Sequence, residues 1–256
     1  MAIDNRIKEE LDRLSPEEYK VAMQILSEMK DQGSSDVLKA LYEEDFEEIP
    51  VSVDEFIDSP QYGGWFTDNG KSVYPYWRNK LRELFSEEGK YVECAISGSI
   101  GTGKSTFAIV ALAYVTYRAM CLKDIHDYYR LAKGAPVYIV FFNATLELSR
   151  GVAYQKFQSL LQNSPWFKER GTVSGIKYLE YIPNKPIRFT VGSQMEHSLG
   201  KDTLAGILDE VDFVKGADPQ IEKSKIMKTY NSVYERITSR FTLNGKVAGM
   251  LFLVSS

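Results

Sequence analysis

The sequence predicts an α/β fold in which helices cover both faces of a mostly parallel, doubly wound sheet. Three observations support this prediction. Apolar runs of strand length alternate with longer stretches of helical periodicity after residue 71. The run 91–96 leads into a glycine-rich loop that opens a helix, and the run 203–208 ends in two adjacent carboxylates. Because parallel strands present functional groups at their carboxyl ends, both runs are expected to be strands of one sheet.

Composition indicates the broad class of protein. The chain has 256 residues, of which 44% are hydrophobic, so it can bury one large core or a core with a small satellite domain. No apolar run approaches the ~20 residues that span a bilayer, so we expect a cytoplasmic protein with no membrane partner. Cys94 and Cys121 lack metal-ligand spacing and are expected to be structural.

Charge is distributed unevenly along the chain. Residues 1–70 hold 18 acidic and 6 basic side chains, a balance of −12, so the net charge of −4 leaves +8 on residues 71–256. We expect an acidic, mainly helical leader or lid over 1–70 and a separate domain over 71–256. A capped helix is predicted from Ser15 to about Met29. Residues 42–58 alternate acidic and apolar side chains, which is typical of a solvated docking segment.

The glycine-rich loop fits the phosphate-binding loop (P-loop) pattern in full. Its glycines permit positive φ angles, so backbone N–H groups can point at an anion held at the amino end of the following helix. Lys104 is expected to reach the β- and γ-phosphates of a nucleotide, and the Ser105 hydroxyl to ligate Mg²⁺. The expected nucleotide-binding residues of the loop are Gly98, Ser99, Ile100, Gly101, Thr102, Gly103, Lys104, Ser105 and Thr106.

A helix is predicted over 74–85, shortly before the strand that leads into the P-loop. Tyr76 and Trp77 lie near its start, and either ring could stack on the base of a nucleotide. Alternatively, both rings pack this helix on the sheet, and the residues alone leave the two roles open.

The rest of the domain is predicted in chain order from its apolar runs. Residues 136–142 form a buried strand, and residues 146–162 form a helix that ends before Pro165. Residues 177–182 and 187–191 form a hairpin at an edge of the sheet, with prolines in its turn. A last sheet strand is predicted over 247–254.

The second chemical motif is the carboxylate pair Asp209 and Glu210 after the apolar run 203–208. Asp209 is expected at the carboxyl end of a strand beside the P-loop, where it can hold Mg²⁺ through water. Glu210 is expected to be the general base for the attacking water. An adjacent pair of this kind predicts the branch of P-loop proteins that has a catalytic glutamate and an additional strand between the two motif strands.

Taken in order, these motifs resemble the large terminase subunit of tailed bacteriophages. The resemblance runs from about Ile49 to Ser256 and is based on GSIGTGKS, LDEVDF, the final LFLVSS, IPVSVDEFIDSPQYGGWF and VGSQMEHSLGKDTLAGILDE. It implies an ATPase that uses ATP and Mg²⁺ to move double-stranded DNA into a procapsid in the host cytoplasm. By this likeness Lys104 and Glu210 are catalytic, Ser105 and Asp209 bind the metal, and Ser255 and Ser256 form the coupling motif.

The resemblance also implies partners. They are double-stranded DNA, the portal and procapsid, the small terminase subunit, and other copies of the chain in a ring, although the isolated chain is expected to be a monomer. The family's RNase H-like nuclease domain is not found within the 256 residues, so no nuclease activity is expected of them.

The sequence departs from the resemblance at the arginine that completes the transition state. No arginine lies inside the P-loop or shortly before the acidic strand. Lys201 and Arg150 are the candidates within one chain, and Arg150, Arg236 and Arg240 could also face a neighbouring subunit.

Two other classes of protein share some of these motifs. A DEAD-like helicase also has a P-loop and the string Asp209-Glu-Val-Asp212, but it requires a second domain that supplies arginine fingers. A nucleotide-switched assembly module that does not hydrolyse its nucleotide would have a defective acidic pair, and Glu210 argues against it.

Overall fold

The structure is a computed structural model of the chain. The chain divides into two compact units, Met1–Ile49 and Pro50–Ser256, and every element given below belongs to the second. The helix predicted from Ser15 to Met29 lies outside the described residues. These are 45–86, 90–143, 153–171, 174–176, 179–181, 185–192, 200–209, 219–243 and 245–255.

Helices and strands are numbered in chain order over the described residues. The helices are α1 (Val53–Asp58), α2 (Gly64–Thr67), α3 (Pro75–Leu84), α4 (Lys104–Cys121), α5 (Ile125–Tyr129), α6 (Gln155–Asn163), α7 (Pro165–Glu169) and α8 (Pro219–Arg240). The strands are β1 (Glu93–Ile96), β2 (Val137–Phe142), β3 (Ser174–Ile176), β4 (Leu179–Tyr181), β5 (Ile187–Gly192), β6 (Asp202–Asp209), β7 (Thr242–Leu243), β8 (Lys246–Val247) and β9 (Met250–Val254). None of the described helices is long and apolar enough to cross a membrane.

The central sheet has the order β1-β9-β6-β2-β5-β4-β3. The neighbouring pairs β1-β9, β9-β6, β6-β2 and β2-β5 are parallel, and the pairs β5-β4 and β4-β3 are antiparallel. Strand β9 lies between β1, which leads into the P-loop, and β6, which ends at Asp209. The predicted α/β P-loop fold with a mostly parallel sheet is therefore confirmed, and the additional strand between the two motif strands is β9.

Helices cover both faces of the sheet. Successive side chains of a strand point to opposite faces, so one strand can pack against helices on each side. Val140 and Phe142 of β2 belong to a buried cluster with Val233 and Ile237 of α8. Phe141, between them, faces the other way and meets the ring of Phe157 in α6 at a centroid distance of 4.9 Å. Helix α4 is buried along nearly its whole length.

Two predicted strand assignments differ from the structure. The strand expected over 247–254 is broken at Ala248 and Gly249, so that β8 pairs with β7 in a separate hairpin and only β9 joins the central sheet. A side chain at Gly249 would come within 2.4 Å of the carbonyl oxygen of Leu204, so the chain approaches β6 closely there. The predicted hairpin forms from β4 and β5, but β5 also pairs with β2, and β3 is outermost in the described sheet.

Segment 50–70 packs on α4 through an aromatic cluster. Tyr117 is fully buried, and its ring lies 5.3 Å from Phe56 and 4.6 Å from Trp166. Its hydroxyl accepts a hydrogen bond from the Val51 N–H at 3.0 Å, while the Tyr114 hydroxyl donates to the Val51 carbonyl at 2.8 Å. Two tyrosines of α4 thus satisfy both backbone groups of Val51, although the domain boundary at residue 70 stays a prediction.

Replacing Tyr117 by phenylalanine should lower the free energy of unfolding by about 1–2 kcal/mol, because it leaves the Val51 N–H without its acceptor while keeping the ring. Urea denaturation measures this change. Tyr91→Phe is the matched control, since the Tyr91 hydroxyl donates to Glu83 on the exposed surface and its loss should change stability by less than about 0.5 kcal/mol. Equal losses in the two variants would contradict the role given to Tyr117.

Candidate functional site

The carboxyl ends of three adjacent strands meet at one edge of the sheet. Ile96 of β1 is in register with Val254 of β9, and Val254 is in register with Asp209 of β6. The Ser255 N–H also donates to the Ile96 carbonyl at 2.9 Å. The structure therefore brings together three of the predicted motifs, which are the P-loop, Asp209 and the start of the coupling motif.

The P-loop enters α4 through Gly103, which has a φ of 86°. This left-handed conformation suits glycine, and a side chain there would come within 3.2 Å of the Trp77 ring and 3.3 Å of the Tyr74 ring. The Thr102 hydroxyl donates to the Ser99 carbonyl at 2.9 Å and closes the loop on itself. A larger residue than glycine would therefore be excluded by both backbone strain and crowding.

Lys104 is buried although it is the cation of the loop. Its ammonium group donates to the carbonyl of Gly98, and to the carbonyl of Ser99 at 2.9 Å. These two carbonyl oxygens hold the ammonium group inside the loop, close to the position where an anion would bind at the amino end of α4. Ile100, at the tip of the loop, is 90% exposed, so only its backbone is suited to contact a nucleotide.

The oxygen donors at this edge fit magnesium. Ser105 supplies a hydroxyl at the start of α4 and Asp209 supplies a carboxylate at the end of β6, and both are ligand types that Mg²⁺ prefers. Among the described residues no group of three His, Cys, Asp or Glu side chains could hold a metal. Mg²⁺ usually keeps several waters and is bound through one or two protein carboxylates together with substrate phosphates.

A family model matches the amino-acid sequence over residues 19–254. Its description is "Uncharacterized protein MJ0330, N-terminal P-loop domain". The chain belongs to this P-loop family. No curated protein matches the chain in sequence.

Solved structures of phage terminases are similar to this P-loop domain. The large terminase of bacteriophage HK97 has 13% identity and a TM-score of 0.44, over 72% of this chain and 33% of that one. A mutant of the large terminase ATPase domain of Thermus phage P74-26 has 15% identity and a TM-score of 0.35, over 68% and 63% of the two chains. These proteins come from the family that the sequence motifs resemble, and this chain spans less than two thirds of either.

Three predicted site residues lie outside the described residues. They are Glu210, Arg150 and Ser256, so their roles stay predictions.

Trp77 supports the P-loop from outside. Its indole N–H donates to the Thr102 carbonyl at 2.6 Å, and its ring lies 4.8 Å from that of Phe107 in α4. Both contacts favour the packing role over stacking on a base. Tyr76 is 61% exposed and Tyr74 is 53% exposed, so these two rings are available to a base beside Gly103. Sequence reasoning missed Tyr74, which precedes the proline that begins α3.

An ion-pair network holds α3, and thereby Trp77, in place. The Arg78 guanidinium donates to Asp58 at 2.9 Å and to Asp54 at 3.2 Å, and Arg82 donates to Asp54 at 2.7 Å. Hydrogen bonding from Arg78 lowers the pKa of Asp58, and hydrogen bonding from Arg82 lowers the pKa of Asp54. The acidic docking segment predicted from the sequence thus uses two of its carboxylates to anchor α1 to α3. The four-residue spacing of Asp54 and Asp58 was the sequence signal that could have predicted this contact.

Asn143 is a second residue that sequence reasoning missed. It directly follows β2, whose Phe142 is in register with Leu208, so it lies one step further along, at the level of Asp209. It is a buried polar residue at the edge where the motifs meet. A polar residue directly after the apolar run 136–142 was the signal that could have identified it.

The structure does not bring Lys201 to the P-loop. Lys201 precedes Asp202 at the amino end of β6, whereas Asp209 at the other end lies beside the loop, about 26 Å away at ~3.3 Å per residue. Its ammonium lies 3.3 Å from the Thr190 hydroxyl and 5.4 Å from the centre of the Tyr138 ring, and burial lowers its pKa. The structure therefore corrects the expectation that Lys201 completes the site of its own chain, because Lys201 and the P-loop lie at opposite edges of the sheet.

Trp77→Phe should weaken the binding of ATP and GTP by the same factor, roughly 3–10-fold, because it removes one hydrogen bond to the loop and keeps the ring. Titration of both nucleotides by isothermal calorimetry measures the two affinities. Tyr76→Ala is the comparison, and it should change the ratio of the ATP and GTP affinities if Tyr76 meets the base. A Trp77→Phe variant that lost affinity for one nucleotide alone would show that Trp77 contacts the base.

Proposed function

We propose that this chain is an ATPase that uses ATP and Mg²⁺ to move double-stranded viral DNA into a procapsid. The observation that supports the hydrolytic part is the meeting of the P-loop, Asp209 and Ser255 at one edge, with β9 between the two motif strands. The DNA-packaging part is supported by the ordered motifs that resemble large terminases.

Binding begins with the phosphates at the amino end of α4. Backbone N–H groups of the loop donate to the phosphate oxygens, and Lys104 exchanges its two carbonyl partners for the charge of the β- and γ-phosphates. Trp77 keeps the loop in this shape through Thr102. The adenine is expected beside Tyr74 or Tyr76, on the exposed side of α3.

Hydrolysis then requires an oriented water and a group that removes its proton. Ser105 and Asp209 would hold Mg²⁺, which when bound neutralises charge on the phosphates. Glu210 follows Asp209 directly, and we assign it the proton of the attacking water. Lys104 stabilises the negative charge that spreads over the γ-phosphate oxygens in the transition state.

Coupling to motion is assigned to the end of β9. The Ser255 N–H donates to the carbonyl of Ile96, the last residue of the strand that leads into the P-loop, so movement of the loop would be transmitted directly to Ser255. We assign Ser256, the next residue, to the same coupling motif. We propose that the arginine finger comes from a neighbouring copy in an assembled ring. The portal, the procapsid and the small terminase subunit would be the other partners.

A DEAD-like helicase is the second candidate function. Its motor would respond to single-stranded nucleic acid rather than to duplex DNA. The response of ATP turnover to the two forms of DNA therefore separates the candidates.

Lys104→Ala should abolish ATP hydrolysis and weaken ATP binding, because it removes the loop's own cation from a site of dense negative charge. Steady-state phosphate release and calorimetry measure the two effects. Lys156→Ala, an exposed lysine of α6, is the control and should leave both unchanged. Turnover within about tenfold of the unaltered chain would refute the assignment.

Glu210→Gln should keep ATP binding but lower hydrolysis by about 10² or more, because the amide preserves shape and cannot accept the proton. The unaltered chain should hydrolyse ATP faster when duplex DNA is added, and the variant should not respond. Stimulation by single strands alone would favour the helicase. Equal loss of binding and turnover in the variant would make Glu210 structural.

A further inference from the structure

The edge of the sheet opposite the P-loop is basic. We call it the amino-edge surface and define it by the described residues within 122–135, 185–186, 200–202 and 240–247, which precede the parallel strands or end α4 and α8. These segments hold seven lysine and arginine residues and three aspartates, a net charge of +4 in a chain whose total is −4. The surplus of positive charge is therefore concentrated here.

Direct contacts join these segments into one surface. The Lys185 ammonium donates to the Leu122 carbonyl at 2.6 Å, across the end of α4. The Tyr129 ring meets the Phe241 ring at 5.0 Å, which joins α5 to the end of α8. Arg240 lies 3.3 Å from Asp202, which joins α8 to β6.

The strand order places four of the five lysines of this surface near the starts of neighbouring strands, and we call these four the row. The strands β9, β6, β2 and β5 are neighbours in the sheet, and a lysine lies one to four residues before each of them. At ~4.8 Å between strands, the starts of these four strands span about 14 Å. Duplex DNA carries one phosphate per ~1.7 Å of its axis, so about eight phosphates fall within that length. In the order of the strands, the lysines are Lys246, Lys201, Lys133 and Lys185.

Three of these lysines adjoin open glycine turns. Each glycine has a positive φ, between 73° and 81°, and no atom lies within 4 Å of the position that a side chain would occupy. The bare backbone of such a turn allows a phosphate to approach closely, beside the lysine head group. The pairs are Lys133-Gly134, Gly200-Lys201 and Gly245-Lys246.

The acidic residues of the surface compensate for only part of its charge. Asp124 and Asp127 both face Lys133, and Asp202 faces Arg240. Three carboxylates thus adjoin two cations. The other cations of the surface include Lys123 and Arg130, both exposed, and the half-exposed Lys246.

We propose that the amino-edge surface binds the phosphate backbone of double-stranded DNA without reading its bases. Cations spread along one edge of the sheet fit a linear polyanion, and lysines beside bare backbone provide the donors that phosphates accept. The choice of duplex DNA rests on the proposed function. Because this surface lies at the opposite edge from the P-loop, DNA and nucleotide do not compete for it.

The test measures the binding of a labelled 30-base-pair duplex to the chain in the absence of nucleotide. Fluorescence anisotropy gives the affinity at each of a series of salt concentrations. The triple variant Lys123→Ala, Arg130→Ala, Lys246→Ala should bind at least tenfold more weakly. The slope of log affinity against log salt should fall by about 2–3, since each phosphate contact contributes ~0.9. Duplexes of different sequence should bind alike.

The matched control is the triple variant Lys223→Ala, Lys225→Ala, Lys228→Ala, which removes the same charge from α8 away from this edge. It should keep most of the affinity and nearly the whole slope. Equal losses in the two triple variants would overturn the proposal, as would unchanged binding in the first. Equally tight binding to vesicles of anionic lipid, lost in the same variant, would also overturn it, because the surface would then bind anions of any shape.

The result is independent of ATP turnover. DNA binding that is lost in the first triple variant, in a chain that binds no ATP, supports this surface and refutes the proposed ATPase. Hydrolysis with no such DNA binding refutes this surface alone. Circular dichroism confirms that both triple variants are folded.

Discussion

The parallel register of β1, β9 and β6 is the constraint on which the candidate site depends. It aligns Ile96, Val254 and Asp209, so that three motifs distant in the chain end at one edge. The hydrogen bond from the Ser255 N–H to the Ile96 carbonyl extends this alignment by one residue beyond β9. A slip of one residue in β9 would reverse the faces of its side chains and remove the core contacts of Leu251. Core packing and the arrangement of the site are therefore set by the same register.

The P-loop is also supported by α3, a helix that lies outside the sheet. Trp77 bonds to the Thr102 carbonyl and packs on Phe107, while the next residue, Arg78, is held by two aspartates of α1. These exposed ion pairs contribute little stability individually. Their effect is geometric, because they fix the helix that places the indole. Residues 54–78 thus contribute to the shape of a loop about 25 to 50 residues further along the chain.

The sequence predicted what depends on local pattern and missed what depends on long-range pairing. Gly98 to Ser105 has a spacing that specifies its own loop, and the run ending at Asp209 specifies a strand end. The break at Gly249 could not be predicted, because it results from contact with Leu204, 45 residues earlier. Lys201 looked close to Asp209 in sequence, yet an eight-residue strand separates the two edges of the sheet. Trp77 had two plausible roles until its N–H was placed against Thr102.

The two edges of the sheet differ in chemistry because of how parallel strands are connected. Loops that follow strands meet at the edge with the P-loop, where helix amino ends favour anions. Loops that precede strands meet at the opposite edge, where helix carboxyl ends favour cations, and this chain has lysine or arginine in every one of the segments there. The helix dipoles account for some of that charge. They do not account for Lys246 or Lys201, which adjoin strands, and a row that crosses four strands is what a binding surface for a linear polyanion requires.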